Sequence, residues 1–261
     1  MDSSNLKTRL SGKLQTPQQE PRKGKVVTMQ NTALAQVNSD YIALSNNAMD
    51  IISENLKHQP LSYQLFDIIK SPAGGATVFS VPGLSGDEAE KELTGIILDY
   101  TTPRAYWETP EPIEGEPPVC WSRDSLISHE GKPCNQCVYN DFGSKNGGET
   151  QAKACKESVQ LFLLRPNNIM PVIVRIPVSS KLIFQRYMTR LVGKMIPLSG
   201  VVTRITLEKA TSREGKPYAL YNFEAVSSLS PDETITAKAF GMKFMEILNA
   251  AGVEPDIAEV S

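Results

Sequence analysis

All four cysteines of the chain lie between positions 120 and 155, spaced C-x13-C-x2-C-x17-C as Cys120, Cys134, Cys137 and Cys155. Two thiolates separated by two residues fit one tetrahedral ion in a tight knuckle. Two more from flanking strands would close an all-sulfur site suited to structural zinc. The run CWSRDSLISHEGKPCNQCVYNDFGSKNGGETQAKAC has little apolar material of its own. A bound Zn2+ would therefore supply the folding free energy that a core supplies elsewhere. Gly131, Lys132 and Pro133 suit a turn before the knuckle. With every ligand a cysteine, no coordination position is left for catalysis. Other readings are His129 replacing one cysteine, a redox-active C-x-x-C lacking the βαβ surroundings of thioredoxins, and four ordinary thiols.

The second chemical signal is charge. The net charge is only −2, yet residues 161–221 hold ten basic and two acidic residues. Residues 81–160 hold seven basic and fourteen acidic, and 224–261 hold two and seven. Gathering cations into one stretch of a near-neutral chain suits a local polyanion site. The ten are Arg165, Arg175, Lys181, Arg186, Arg190, Lys194, Arg204, Lys209, Arg213 and Lys216. Arg186, Arg190 and Lys194 recur every four residues, one helix face, which is also how an ordinary solvated face looks. Arg165, Arg175 and Arg204 fall in or beside expected strands, where alternation should turn them away from the apolar face. Tyr100, Trp107, Trp121, Tyr218 and Tyr221 accompany them as candidate stacking rings, the pairing that single-stranded nucleic acid binders use. Phe162 and Phe223 are expected in the core, and Tyr106 on the strand face opposite Trp107.

These residues need elements to hold them. Residues 1–30 carry six Lys/Arg against two acids, with Pro17 and Pro21, and read as a flexible basic arm. Residues 31–75 read as a helical segment: a helical pattern over 34–57, stopped by Pro60, then SYQLFDIIK as a short second helix. Residues 76–230 form the main domain. TGIILDYTTPRAYW is a strand, the insertion at 120–155 follows, and LFLLRPNNIMPVIVRIP gives two strands around RPNN. SSKLIFQRYMTRLVGKM is a helix with Ser179 or Ser180 as its cap, and LSGVVTRITLEKATSREGKPYALYNFEAV gives two strands around REGK. Residues 231–261 are a helix, stopped by Gly252, with a short acidic tail. The expected class is mainly β with flanking helices: five strands with a helix between the third and fourth, the order of an OB-fold-like barrel.

The sequence opens with no secretory apolar region and contains no apolar run near the ~18 residues of a membrane span, so a cytoplasmic protein with no membrane partner is expected. Reduced thiols in that compartment favour metal over disulfides. SKNGGET lacks the spacing and lysine of a P-loop, G-x-G-x-x-G is absent, and His58 and His129 are the only histidines. No enzyme is expected.

The run WS…GKPCxQCxYNxFGSxxG…KAC, followed by LFLLRP, a PVIVRIP strand and a helix, resembles single-stranded DNA-binding proteins of phages and mobile elements. Those carry a zinc knuckle inserted in an OB-fold. The resemblance covers roughly Gly95 to Val226 and is similar in plan to the helix-destabilising proteins of large lytic phages, with different ligand spacing. It implies Zn2+ on Cys120, Cys134, Cys137 and Cys155, and a barrel face holding the strand. It also implies a role in DNA replication and recombination, in the bacterial host cytoplasm, with replication or recombination proteins as partners. The basic arm over residues 1–30 is expected to contact DNA or a neighbouring subunit, giving self-association on DNA. Relatives often end in a strongly acidic tail; EPDIAEVS is short and mildly acidic. The expected function is sequence-tolerant coating of single-stranded DNA. The other reading is a zinc-stabilised protein–protein adaptor of a replication or transcription complex, with residues 81–160 as its working surface.

Overall fold

A computed structural model describes residues 35–36, 40–44, 48–57, 59, 62–109, 116–145, 151–212 and 215–250. By contacts the chain divides into residues 1–33 and 34–261. The arm expected over 1–30, Arg213, Gly252 and the acidic tail lie outside the described residues.

A two-residue strand, β1 (Ala35–Gln36), is followed by α1 (Ala48–Asn55), a shorter helix than the pattern over 34–57 predicts. SYQLFDIIK is not a helix. Tyr63–Leu65 makes one 3-10 turn, and the β-branched pair Ile68–Ile69 forms β2. A small hairpin of β3 (Phe79–Val81) and β4 (Glu88–Glu90) leads into β5 (Glu92–Thr101). The expected first strand is split there: Pro103 cannot donate a ladder bond, and β6 (Arg104–Tyr106) leaves to pair with β7 (Cys120–Ser122). After the cysteine segment come β8 (Lys156–Leu164) and β9 (Val172–Pro177), turning through Asn167 at φ 60°. Then follow α2 (Val178–Val192), β10 (Val201–Thr211) and β11 (Pro217–Ser228), the last two joined through Gly215 at φ 80°. The last element is α3 (Pro231–Ala250). Its start carries a capping box absent from the sequence reading. Ser230 N–H donates to Glu233 Oε2 at 2.8 Å, and Glu233 N–H donates to Ser230 Oγ at 3.3 Å.

Neither cap expected for α2 is used. The helix begins after Pro177 with no side-chain cap, and Ser180 is fully buried, its Oγ accepting the Tyr221 N–H at 3.0 Å. The serine ties α2 to β11.

β5 lies between β8 and β10, antiparallel to both; β9 pairs with β8 and β11 with β10. Right-handed twist curls this sheet into a half-barrel. The five-stranded barrel expected from the sequence is open, because no β9–β11 pairing occurs among the described residues. Each strand's outer edge is engaged by something else. β2 pairs in parallel with β9, while β1 pairs with β11 at Ser227–Ser228 and Ser180 meets it at Tyr221.

Both faces of the sheet are buried. Leu93, Ile97, Leu161, Val174 and Ile205 point to one side, under Phe184, Tyr187 and Leu191 of α2. Ile96, Leu98, Phe162, Leu164 and Val202 point to the other, under Phe240, Phe244 and Leu248 of α3, with Ile52 of α1 beside them. At Gly95 the β5 and β8 backbones come close enough that a Cβ would stand 2.4 Å from the Leu164 carbonyl oxygen. Among the described residues, no helix is long and apolar enough to cross a membrane.

Candidate metal centre and nucleic-acid interface

The cysteine segment is organised by its own backbone. Ile127 bridges to Pro133, and Gly131 at φ 80° makes the reversal between them, its N–H donating to the Ser128 carbonyl. Cys134 N–H donates to the Leu126 carbonyl, so the turn delivers Cys134 onto the short 3-10 segment Cys134–Gln136, with Cys137 next. Cys120 stands on β7, and Cys155, just before β8, donates its N–H to the Tyr139 carbonyl at 2.8 Å. These elements place four cysteines far apart in sequence on the wall of one cavity.

All four cysteines line one cavity of about 360 Å³, and all four are free thiols. Burial, with the neighbouring cysteines adding to it, holds the Cys120 thiol above its usual range. Burial pushes Cys155 up to about 12; Arg104 opposes the rise, and the other three cysteines add to it. Among the described residues, no three His, Cys, Asp or Glu side chains are arranged as a group that could hold a metal ion. The donor set itself, four sulfurs on one largely apolar cavity, is chemistry that zinc accepts. His129 is not in the cavity wall; it stacks on Trp121 with centroids 5.4 Å apart.

The cations separate into two groups. Arg165 places Nη2 2.8 and 2.7 Å from the two carboxylate oxygens of Glu90. Arg204 lies between Glu92 at 3.5 Å and Glu224 at 3.3 Å. Lys181 pairs with Glu157, which also takes Arg104 at 3.1 Å. Arg175, opposite Gln160 in the ladder, is only 6% exposed. Of the three arginines expected to turn away from the apolar face, Arg175 is buried, whereas Arg165 and Arg204 stay partly exposed but are engaged by carboxylates. Acids remote in sequence fold back onto Arg165 and Arg204, and Arg175 sits on a covered face. Arg186, Arg190 and Lys194 are exposed on α2 or just beyond it, and Lys209 and Lys216 are exposed on the β10–β11 hairpin.

The aromatics also divide. Tyr100 is exposed on one side and meets Phe184 edge-on at 5.2 Å. Trp121 and Tyr218 are half-buried. Trp107 and Tyr221 are core side chains, 5% and 0% exposed, and cannot offer a ring face to a base as expected. Trp107 donates its Nε1–H to the Glu116 carbonyl, and burial pushes the Tyr221 hydroxyl up to about 12.

Two rings, Tyr139 and Phe142, are not anticipated as stacking candidates by the sequence reading. Tyr106 and Tyr139 stack at 3.9 Å with planes 14° apart, Arg123 lies 5.7 Å from the Trp121 ring, and Lys153 lies 4.5 Å from the Phe142 ring. The sequence signal was present in CVYNDF, where two rings follow the knuckle directly. Comparison of the chain with family models, curated proteins and solved structures returns no match.

Proposed function

We propose that this chain is a sequence-tolerant single-stranded DNA-binding protein, without catalysis, that coats unpaired strands during phage or mobile-element replication and recombination. The observation that carries the reading is the pairing order. The long strand β5 joins β8 and β10, β9 and β11 flank them, and α2 enters between β9 and β10. That order supports an OB-fold-like plan, a partly open barrel used for oligonucleotides. A cysteine-bearing flap is inserted between its first two strands. Cys120, Cys134, Cys137 and Cys155 would hold one Zn2+ there, a structural ion that fixes the flap and leaves no reacting position. The resemblance to phage single-stranded DNA-binding proteins points the same way. Arg186, Arg190, Lys194, Lys209 and Lys216 supply exposed charge for phosphates, and Tyr100, Trp121 and Tyr218 supply rings.

The test is fluorescence titration with oligo-dT and a matched duplex at two salt concentrations. Expected are tight binding to the single strand, weakening with salt, and much weaker duplex binding. Equal affinity for both forms, or none for either, removes the proposal.

A second reading has its own support. Val119, Leu126, Ile127 and Val138 are exposed aliphatic side chains on the flap, suited to a protein partner and to the adaptor role. Charge reversal at Arg186 and Arg190 separates the two: it abolishes oligonucleotide binding on the first reading and leaves partner capture intact on the second.

A further inference from the structure

We infer that the flap is itself part of the nucleic-acid surface, with Phe142 and Lys153 forming a stacking station for one unpaired base. The inference rests on the DNA-binding reading above and extends it to residues outside the barrel.

Phe142 is 75% exposed, far more than a side chain retained for packing needs. The Lys153 ammonium stands 4.5 Å from its ring centroid. It is held there, because Lys153 Nζ also donates to Asn140 Oδ1 at 3.1 Å. Asn140 in turn donates from Nδ2 to the Cys134 carbonyl at 2.9 Å. A continuous chain of contacts therefore runs from the knuckle backbone through Asn140 and Lys153 to the exposed ring. The backbone of the knuckle at Cys134 thus also positions the cation.

A flat ring with an ammonium beside it fits what an unpaired nucleotide offers: a π face for the ring and a phosphate for the charge. The station has neighbours. Tyr139, stacked on Tyr106, and Trp121, stacked on His129 with Arg123 5.7 Å from its ring, both line the cysteine cavity. The flap thus carries three aromatic positions, two of them with a cation. An aliphatic partner would need no cation beside a ring, whereas a base and its phosphate use both.

The test uses the full-length chain and oligo-dT. F142A should weaken binding about tenfold, within the range a stacked base contributes. F142W should restore affinity, and its added tryptophan fluorescence should be quenched when the oligonucleotide binds. K153A should lower the salt slope, and N140A should give a smaller effect in the same direction. If wild type binds oligo-dT while F142A matches it and F142W shows no quenching, this inference fails and the barrel reading stands. If wild type does not bind at all, both fail. If F142A instead abolishes concentration-dependent self-association and leaves oligonucleotide affinity unchanged, the surface belongs to a second copy and the inference is overturned.

Discussion

Asp99 stands where β5 meets a register shift against β8, and its carboxylate accepts the Tyr100 N–H at 2.7 Å. Burial nevertheless dominates and holds its pKa above the usual carboxylate value. A carboxyl whose folded pKa is raised favours the native state most below its unfolded pKa, and that contribution is lost as pH rises through the folded pKa. At neutral pH the charged form is thus a burden on the fold. Asp99→Asn keeps an oxygen acceptor for Tyr100 and removes the charge. Its melting temperature should exceed wild type at pH 7, with the gain disappearing near pH 2, well below the ordinary aspartate pKa of about 3.9. Thermal unfolding followed by circular dichroism at the two pH values checks this; an equal gain at both would refute the burial origin.

Among the elements, the flap depends most on something beyond its own side chains. Residues 119–142 expose Val119, Leu126, Ile127, Val138 and Phe142, while the buried apolar set beside the flap is small: Ala105 and Trp107, with Trp121 packed against them. If Zn2+ supplies the missing stabilisation, removing it should loosen this element and spare the sheet, whose two cores do not include it. Purified protein should carry one zinc per chain by elemental analysis. Strong chelation, or Cys134→Ser, should expose residues 119–155 to limited proteolysis while β8 to β11 stay resistant. Identical digestion with and without chelator would leave the cysteines as plain thiols. The strands themselves were legible because alternation and β-branching mark them, as in VIVRIP and VVTRITLEKAT. Ile68–Ile69 was hidden because a two-residue strand has no period to detect, and its pairing with Ile173–Val174 is set by tertiary packing. Ser180 was misjudged because a serine at a helix start is usually a cap, and here a strand claims its hydroxyl.

Over the whole molecule, charge that is segregated along the chain is partly interleaved in space. Sequence proximity showed ten cations together but could not show that Glu90, Glu92, Glu157 and Glu224 come back to Arg165, Arg204 and Lys181. Nor could it show that α3 covers the sheet face opposite α2, leaving Phe162 and Leu164 dry. A phosphate would have to displace a carboxylate to reach Arg165 or Arg204, whereas Arg186 and Arg190 are exposed on α2. The two pairs therefore make opposite predictions for salt dependence. Each phosphate neutralised on a single strand contributes about 0.7 to the slope of log K against log salt, so R186A/R190A should lower the slope by about 1.4. R165A/R204A should leave the slope unchanged. It should instead lower thermal stability, because Glu90 at the end of β4 and Glu92 at the start of β5 lose their partners. Oligo-dT titrations over a salt series, run beside melting curves for each double variant, distinguish these outcomes. A slope that falls equally for both pairs would mean the carboxylates yield to DNA, and the binding path would then take in Arg165 and Arg204 as well as α2.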